Sequence, residues 1–454
     1  MVAGALPPRA TRFALHQYPI PGCAMDVASL AAWGGAEWVS AAWTLALGAV
    51  LLAWLGIALR LWQAQRNIPT LAPPEGPPPE RAPDGTPAGA PWPLLSVIVP
   101  ARNEAAHVES CLRSLLAQDY PRLEILAVDD RSQDGTGALL DALAAEAGSA
   151  PGAAGRLTVL HVAALPAGWL GKNHANRLAA QRARGELLLF TDADVRFAPG
   201  ALRAAVAHLL RHRLEHLVLA PRLLASGYWE RAILATFALY FVLRLRLWAL
   251  HRARSAAYVG VGAFNLVRRG AYAACGGHER LRLEVVDDLK LGLLLRRSGA
   301  RQGLAAGRDL LSVRWQAGFW ASLRGLLKNA FADCEYRWAP VLGSAAGLLA
   351  LGWLPWAGLL WAPAGGLCGL ALAGALVPVA LLGAGARRSA AGNGLEGLAA
   401  PLTHGAFAAV LLLSAALATL RGGLTWRDTF YSLRELRAGT LRERDLPCDA
   451  AVGE

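Results

Sequence analysis

Apolar and polar positions divide the chain into a middle block of short alternating runs and flanking regions nearly free of charge. Trp38 to Ala58 carries no charged residue and is closed by Arg60. At 1.5 Å per residue that stretch matches a hydrocarbon core of ~30 Å, so residues 38–62 read as a transmembrane anchor behind an N-terminal segment, 1–37. It starts far from Met1 and lacks a small-residue cleavage site, which favours an anchor over a secretory signal. Residues 63–93 contain the run LAPPEGPPPERAPDGTPAGAPWP, whose composition cannot bury a core and predicts a semi-rigid spacer.

Ala339 to Ala386 is again uncharged, too long for one span, and broken by Pro363-Ala364-Gly365-Gly366. It predicts a transmembrane hairpin over 339–386, followed by a loop at 387–396, a third C-terminal apolar segment at 397–420 and a basic tail at 421–454. Arg60 and Arg66 assign the block 63–338 to the cytoplasmic side, and the hairpin returns Arg387 and Arg388 there. A full crossing by 397–420 would place Arg421, Arg427, Arg434 and Arg437 outside. Either that segment is re-entrant or interfacial, or the rule fails locally; the sequence leaves both open.

Between these regions, residues 94–222 alternate strand-like and helix-like runs. Leu95 to Val99 predicts a buried strand ending at Pro100, and a helix follows over 105–117. A second strand, 123–128, runs into Asp129-Asp130. A third covers 157–161, a helix 172–184, and a fourth strand, 187–190, runs into Asp192-Ala193-Asp194. This alternation predicts an α/β, Rossmann-like domain with a mostly parallel sheet and helices on both faces. Ligands of such sheets sit beyond the carboxyl ends of the strands, where two of these strands deliver acids. Residues 223–338 form the second half. There, Tyr228 to Arg254 is amphipathic, with an uncharged centre only from Ala232 to Leu243 and a rim of Arg244, Arg246, Arg252 and Arg254. That pattern predicts an interfacial helix on anionic lipid.

Composition narrows the classes. Hydrophobic residues make up 55% and charged residues 17%, which excludes a disordered chain and argues against a simple soluble enzyme. The net charge of +12 is almost entirely arginine, since Lys172, Lys290 and Lys328 are the lysines. With no nucleic-acid-binding motif beside it, the charge does not indicate a nucleic-acid partner. Six cysteines with no CxxC pair indicate neither a disulfide framework nor a zinc site.

Asp192 and Asp194 can be brought to one site from an extended strand end. Carboxylate oxygens there suit a hard cation, Mg²⁺ or Mn²⁺, that also binds substrate phosphate. Asp129-Asp130-Arg131-Ser132-Gln133-Asp134-Gly135-Thr136 is a second acidic strand end followed by residues suited to a tight loop entering a helix.

The runs VIVPARNE (97–104), AVDDRSQDGT (127–136), GKNHANRLAAQRARGELLLFTDADV (171–195), GAFNLVRRGAYAACGGH (262–278), VVDDLKLGLLLRRSG (285–299) and GLLKNAF (325–331) together resemble family 2 glycosyltransferases. The resemblance spans roughly 95–338. It is strongest to membrane-anchored members acting on lipids, such as hopanoid-associated, carotenoid and ceramide-type enzymes. The tail Thr425-Trp426-Arg427-Asp428-Thr429-Phe430-Tyr431 is similar to a W-R-x-x-x-Y element of some of these. The resemblance implies a GT-A fold and inverting transfer of a hexose from a nucleotide sugar, with UDP the expected nucleotide. Pro100, Ala101, Arg102 and Glu104 would line the nucleotide pocket, and Asp130, with Asp129, would bind the base. Asp192 would touch the ribose or the metal, Asp194 the metal bridging the diphosphate, and Lys172 the phosphates. Asp288 would be the general base, with Asp287 where the family usually has Glu. Gly262, Phe264, His278, Arg314, Trp315 and Lys328 would serve the acceptor and diphosphate side. Of the processive Q-x-x-R-W element only Arg314-Trp315 is present, with Leu311 at the Gln position, and Arg337-Trp338 is a rival pair. The glycine run 260–265 ends in Asn and follows no clear strand, so it is not read as a dinucleotide motif.

The expected protein is therefore a multi-pass enzyme of the inner (cytoplasmic) membrane with its catalytic domain in the cytoplasm and a lipid hydroxyl as acceptor. The rivals are a processive polysaccharide synthase, a polyprenyl-phosphate sugar transferase, and a scaffold that keeps the fold without the chemistry.

Overall fold

Val97 and Val99 of the first strand face one apolar layer while Ile98, between them, faces another. Ile125 and Ala127 of the second strand repeat the pattern against Leu126 and Val128. Successive strand residues point to opposite faces, so a strand buried on both reads as one continuous apolar run. The computed structural model describes residues 35–76, 91–149, 155–252, 254–361, 366–389 and 392–443. The expected break of the hairpin at 362–365, most of the spacer (77–90), most of the N-terminal segment (1–34) and the end of the tail (444–454) lie outside the described residues.

Strands β1 (Leu95–Ala101), β2 (Leu123–Asp129), β3 (Leu157–His161), β4 (Leu187–Phe190), β5 (His216–Ala220), β6 (Asn265–Arg268) and β7 (Gln302–Ala306) form one seven-stranded sheet in the order β3-β2-β1-β4-β6-β5-β7. The pairs β3–β2, β2–β1, β1–β4 and β5–β7 are parallel, whereas β6 runs antiparallel to both neighbours. Helices α1 (Gly35–Asn67), α2 (Val108–Leu116), α3 (Thr136–Ser149), α4 (Gly171–Arg182) and α5 (Ala201–Arg211) occupy the first half. The second half holds α6 (Tyr228–Arg244), α7 (Asp287–Arg297), α8 (Phe319–Asp333), α9 (Trp338–Trp361), α10 (Gly366–Ser389), α11 (Ala400–Leu420) and α12 (Leu433–Gly439). Helices α2, α3 and α5 cover one sheet face; α4 and α7 cover the other. This is the α/β, mostly parallel GT-A arrangement expected from the pattern and the resemblance. Its topology sets the carboxyl ends of β1, β2 and β4, the entry to the antiparallel β6 and the start of α7 along one edge.

Among the described residues four helical stretches, Trp38–Asn67, Trp338–Trp361, Leu367–Arg388 and Leu395–Leu420, are long and apolar enough to cross a membrane. Exposed tryptophans mark both ends of the first two: Trp38 and Trp361 at one level, Trp62 and Trp338 at the other. At 1.5 Å per residue the two levels lie about 35 Å apart, close to the interface spacing at which aromatic belts sit.

Contacts fix the helix directions. Trp54 Nε1 donates to the Leu351 carbonyl (3.1 Å) and Gly358 lies against Leu47, so α1 and α9 are antiparallel. Trp353 Nε1 donates to the Pro401 carbonyl (2.7 Å), Gly352 lies against His404, and Val341 shares a cluster with Ala415. Helix α11 therefore runs back along α9 toward the sheet domain. It starts beside the middle of α10, because Gly394 abuts Gly383 and Gly397 abuts the Val379 carbonyl.

Two expectations are corrected. The amphipathic segment 228–254 is not one surface helix: α6 ends at Arg244, Arg246 is left-handed (φ 55°), and a 3-10 turn covers Leu247–Ala249. The α6 residues Ala232, Ile233, Ala235 and Thr236 are buried. Thr236 Oγ1 donates to Thr403 Oγ1 (2.9 Å), and Arg231 pairs with the buried Glu396 (2.6 Å). The rim residue Arg244 is neutralised by Asp333 (3.3 Å) and Glu443 (2.8 Å), so it is no free lipid anchor. The spacer also begins later than expected. Leu71 N–H donates to the Ala306 carbonyl (2.9 Å), and Arg203 Nη2 donates to the Gly76 carbonyl (2.8 Å), which fastens residues 70–76 to the domain.

Candidate active site

The loops after β1 and β2 are built as one unit. Asn103 N–H donates to Ser132 Oγ (3.1 Å), Glu104 N–H to Thr136 Oγ1 (2.9 Å), and Gln133 N–H to Asn103 Oδ1 (2.8 Å). Short polar side chains thus satisfy the backbone donors of the neighbouring loop, and the Ser-Gln-Asp-Gly-Thr run exists for that purpose. Asp129 and Asp130 part company here. Asp129 accepts from Ser132 N–H (3.1 Å) and contacts His161 Nδ1 (3.1 Å), so it holds the loop and does not line the pocket with Asp130. Asp130 turns the other way, paired with Arg131 (2.8 Å) and Arg102 (3.6 Å). Gly171 makes room for it, since a Cβ there would collide with the Asp130 carboxylate.

At the end of β4, Asp192 receives Lys172 Nζ at 2.8 Å, and the same ammonium lies 3.5 Å from Asp287 Oδ1. Gly262 ties this to the α7 terminus: its N–H donates to Asp288 Oδ2 (2.7 Å), and its carbonyl accepts from Asp192 N–H (3.1 Å). A side chain at 262 would run into the Asp192 carboxylate, so the position needs glycine. Asp288 Oδ1 also accepts from Leu289 N–H (2.9 Å). Pro100, Asn176, His278, Asp287 and Asp288 line the resulting pocket with Lys172 and Asp192.

Burial, together with Asp192, pushes the Asp288 carboxyl above the ordinary range against the pull of Lys172. Asp287 is raised for the same reasons, with Asp288 adding to it. Asp194 is raised by burial, then by Asp192 and Glu104. Burial alone would lower the Lys172 pKa, but Asp192, Asp287 and Asp288 outweigh it and the ammonium stays charged. Acids crowded to the point of partial protonation mark a site built for positive charge.

The structure brings Pro100, Arg102, Glu104, Asp130, Lys172, Asp192, Asp194, Gly262, His278, Asp287 and Asp288 to this edge. Four assignments it does not bear out. Phe264 is fully buried and packs on Phe197, with ring centroids 6.4 Å apart, inside the sheet core. Arg314 donates to Ser226 Oγ (2.6 Å) and Trp315 stacks on Phe237 of α6 (5.1 Å), which ties that pair to the helix packing. Lys328 is exposed on α8, with no ion-pair partner among the described residues. His278, by contrast, lines the pocket as expected; it is buried against Tyr272 Oη (3.0 Å), and burial drives its pKa down to about 3, so it is neutral. Asn176, with an unpartnered buried Oδ1, was missed, and the tail residues Arg427 and Asp428 were named only as part of the W-R-x-x-x-Y element, with no role at the site. Asn176 stood in the quoted 171–195 run, but nothing local marked it.

Residues 96–272 match the family model described as glycosyl transferase family 2. The chain is 25% identical over 240 residues to a 4,4'-diaponeurosporenoate glycosyltransferase of Staphylococcus haemolyticus, covering 52% of this chain and 60% of that protein. It is 27% identical over 205 residues to a beta-monoglucosyldiacylglycerol synthase of Trichormus variabilis, covering 44% of this chain and 40% of that protein. The chain thus spans less than two thirds of the length of either relative. A mannosyltransferase from Pyrobaculum calidifontis, solved in complex with GDP-Man and Mn²⁺, aligns over 85% of this chain and 99% of its own at 22% identity and a TM-score of 0.47.

Proposed function

Residues 96–272 are a glycosyl transferase family 2 domain, and from that premise we propose that the chain transfers a hexose from a nucleoside diphosphate sugar, UDP the expected nucleotide, to a lipid hydroxyl with inversion. The observation that carries this is the pocket in which Asp192, Lys172, Asp287 and Asp288 converge from β4, α4 and α7. In such a transfer the acceptor oxygen bonds to the anomeric carbon as the nucleoside diphosphate leaves from the opposite face. The acceptor's proton must go to a base on the attacking side. Asp288, oriented by Gly262 N–H, supplies that base; Asp130 and Arg102 hold the nucleoside end. A divalent cation, when bound, offsets charge on the leaving diphosphate, and Asp194 with Asp192 are the acids that would hold it. Radiolabelled sugar passing from UDP-hexoses into the organic-soluble fraction of membranes supports the reading. Label in an insoluble polymer would favour the synthase, and no transfer from any donor would sink the proposal.

The membrane arrangement belongs to the same proposal. Three crossings, α1, α9 and α10, with α11 re-entering, leave the catalytic domain and the tail on the cytoplasmic side of the inner membrane. A reporter fused after residue 443 should then lie on the same side as one inserted at 150–154. Opposite sides would establish a fourth crossing.

Lys172 yields a pH-resolved prediction. Removing a cation that lowers the Asp288 pKa raises that pKa, so a larger share of the base is protonated at any given pH. Lys172→Met should lower transfer about tenfold at pH 7, one unit of pKa being 1.36 kcal/mol, and recover in part toward pH 9. A deficit equal at every pH would mean that Lys172 only positions the phosphates.

A further inference from the structure

The C-terminal tail returns to the pocket as a small hairpin. Gly423–Trp426 pairs antiparallel with Thr429–Ser432, leaving Arg427 and Asp428 as a two-residue tip. Its base is fixed. Tyr431 Oη donates to the Trp169 carbonyl (2.9 Å), and Tyr431 and Leu433 are buried with Leu170, Phe331 and Val341. Its tip is not packed but charged. Arg427 Nη2 meets Glu104 Oε1 at 2.8 Å, and Asp428 Oδ2 meets Arg102 Nη2 at 2.8 Å. Both contacts fall on the loop after β1, one beside each of two acids: Arg102 also pairs with Asp130, and Glu104 is close enough to raise the Asp194 carboxyl. Arg427 holds a left-handed φ of 53°, where such two-residue turns normally place glycine. A non-glycine residue kept there at a cost in backbone energy points to a use for its side chain.

We infer that this hairpin is a strap across the donor pocket and that Arg427 is a donor-diphosphate ligand. The inference rests on the glycosyl-transfer reading above. The guanidinium offers planar paired donors to phosphate oxygens, and a diphosphate beside Asp194 competes with Glu104 for it. Asp428 caps Arg102, so the tip pairs one charge with each of the two charged residues of the β1 loop. Because α11 returns to the catalytic domain, the strap is delivered by the membrane part of the chain, and donor binding senses whether that part is assembled.

The test is equilibrium binding of UDP, GDP and UMP to the full-length protein in detergent. Arg427→Ala should weaken UDP binding about tenfold, the worth of one charge-assisted contact, and leave UMP within about threefold, since the lost contact is to the second phosphate. Asp428→Asn, which releases Arg102 while keeping the tip's shape, should tighten UDP binding; this guards against an Arg427 variant that merely fails to fold. Unchanged UDP affinity in both variants, with wild-type protein binding UDP, would overturn the strap and leave the transfer reading standing. Wild-type protein that binds neither UDP nor GDP would overturn the donor site itself, and the strap with it.

Discussion

Asp288→Asn should lower the turnover of sugar transfer by about 10³-fold, the usual weight of a positioned general base, while donor affinity changes by less than about threefold because no binding contact is lost. Asparagine can still accept the Gly262 N–H bond through its amide oxygen, which keeps the pocket edge in place; the proton acceptor and the bond from Leu289 N–H are lost. The wild-type enzyme should also lose activity as pH falls, because burial raises the Asp288 pKa and only the ionised form can take the acceptor's proton. That acid limb should vanish in the variant. Asp287 is the rival, buried in the same pocket with Lys172 as its cation. It faces Lys172 and receives no aligned backbone donor among the described contacts, so Asp287→Asn should cost less than Asp288→Asn. The reverse order would move the base to Asp287. Near-normal transfer in Asp288→Asn would instead favour a phosphate acceptor, which needs no strong base.

The sheet was legible because strands buried on both faces leave continuous apolar runs, and the acids follow those runs directly: Asp130 after β2, Asp192 and Asp194 after β4. Which of two adjacent acids faces the pocket was not legible. Consecutive residues of an extended chain point to opposite sides, and only the neighbours decide; His161 and Ser132 claim Asp129, whereas Arg102 and Arg131 claim Asp130. Phe264 was misassigned because its motif position suggested the pocket while the pleat turned it into the core. The 228–254 segment read as interfacial because Arg244 was counted in its rim before its partners, Asp333 and Glu443, were known. Arg427 and Asp428 lie more than 300 residues from Glu104 and Arg102, and no local pattern carries a contact of that range.

Asp194→Asn should abolish metal-stimulated transfer, a loss of about 10³-fold that added Mn²⁺ does not restore, because a cation's stabilisation of the leaving diphosphate contributes several kcal/mol. Asp194 is two residues past β4, and burial, Asp192 and Glu104 together raise its pKa. A carboxyl in that position is poorly placed without a counter-charge and well placed with one: a divalent ion would draw its pKa back down, and so should bind more tightly as pH rises. Lys172 pairs with Asp192 and is the last of the influences on Asp194, and the other acid beside Asp194, Glu104, is paired with Arg427. Among the described residues no three His, Cys, Asp or Glu side chains converge to hold an ion unaided. The ion should therefore bind weakly to the protein alone and tightly with UDP, whose phosphates complete its oxygen shell. Manganese electron paramagnetic resonance reads this without any turnover: UDP should convert free Mn²⁺ to bound in wild-type protein and not in Asp194→Asn. Equal Mn²⁺ binding in the two proteins, or transfer that survives EDTA, would remove the metal from the site and leave Lys172 and Arg427 as the charges facing the diphosphate.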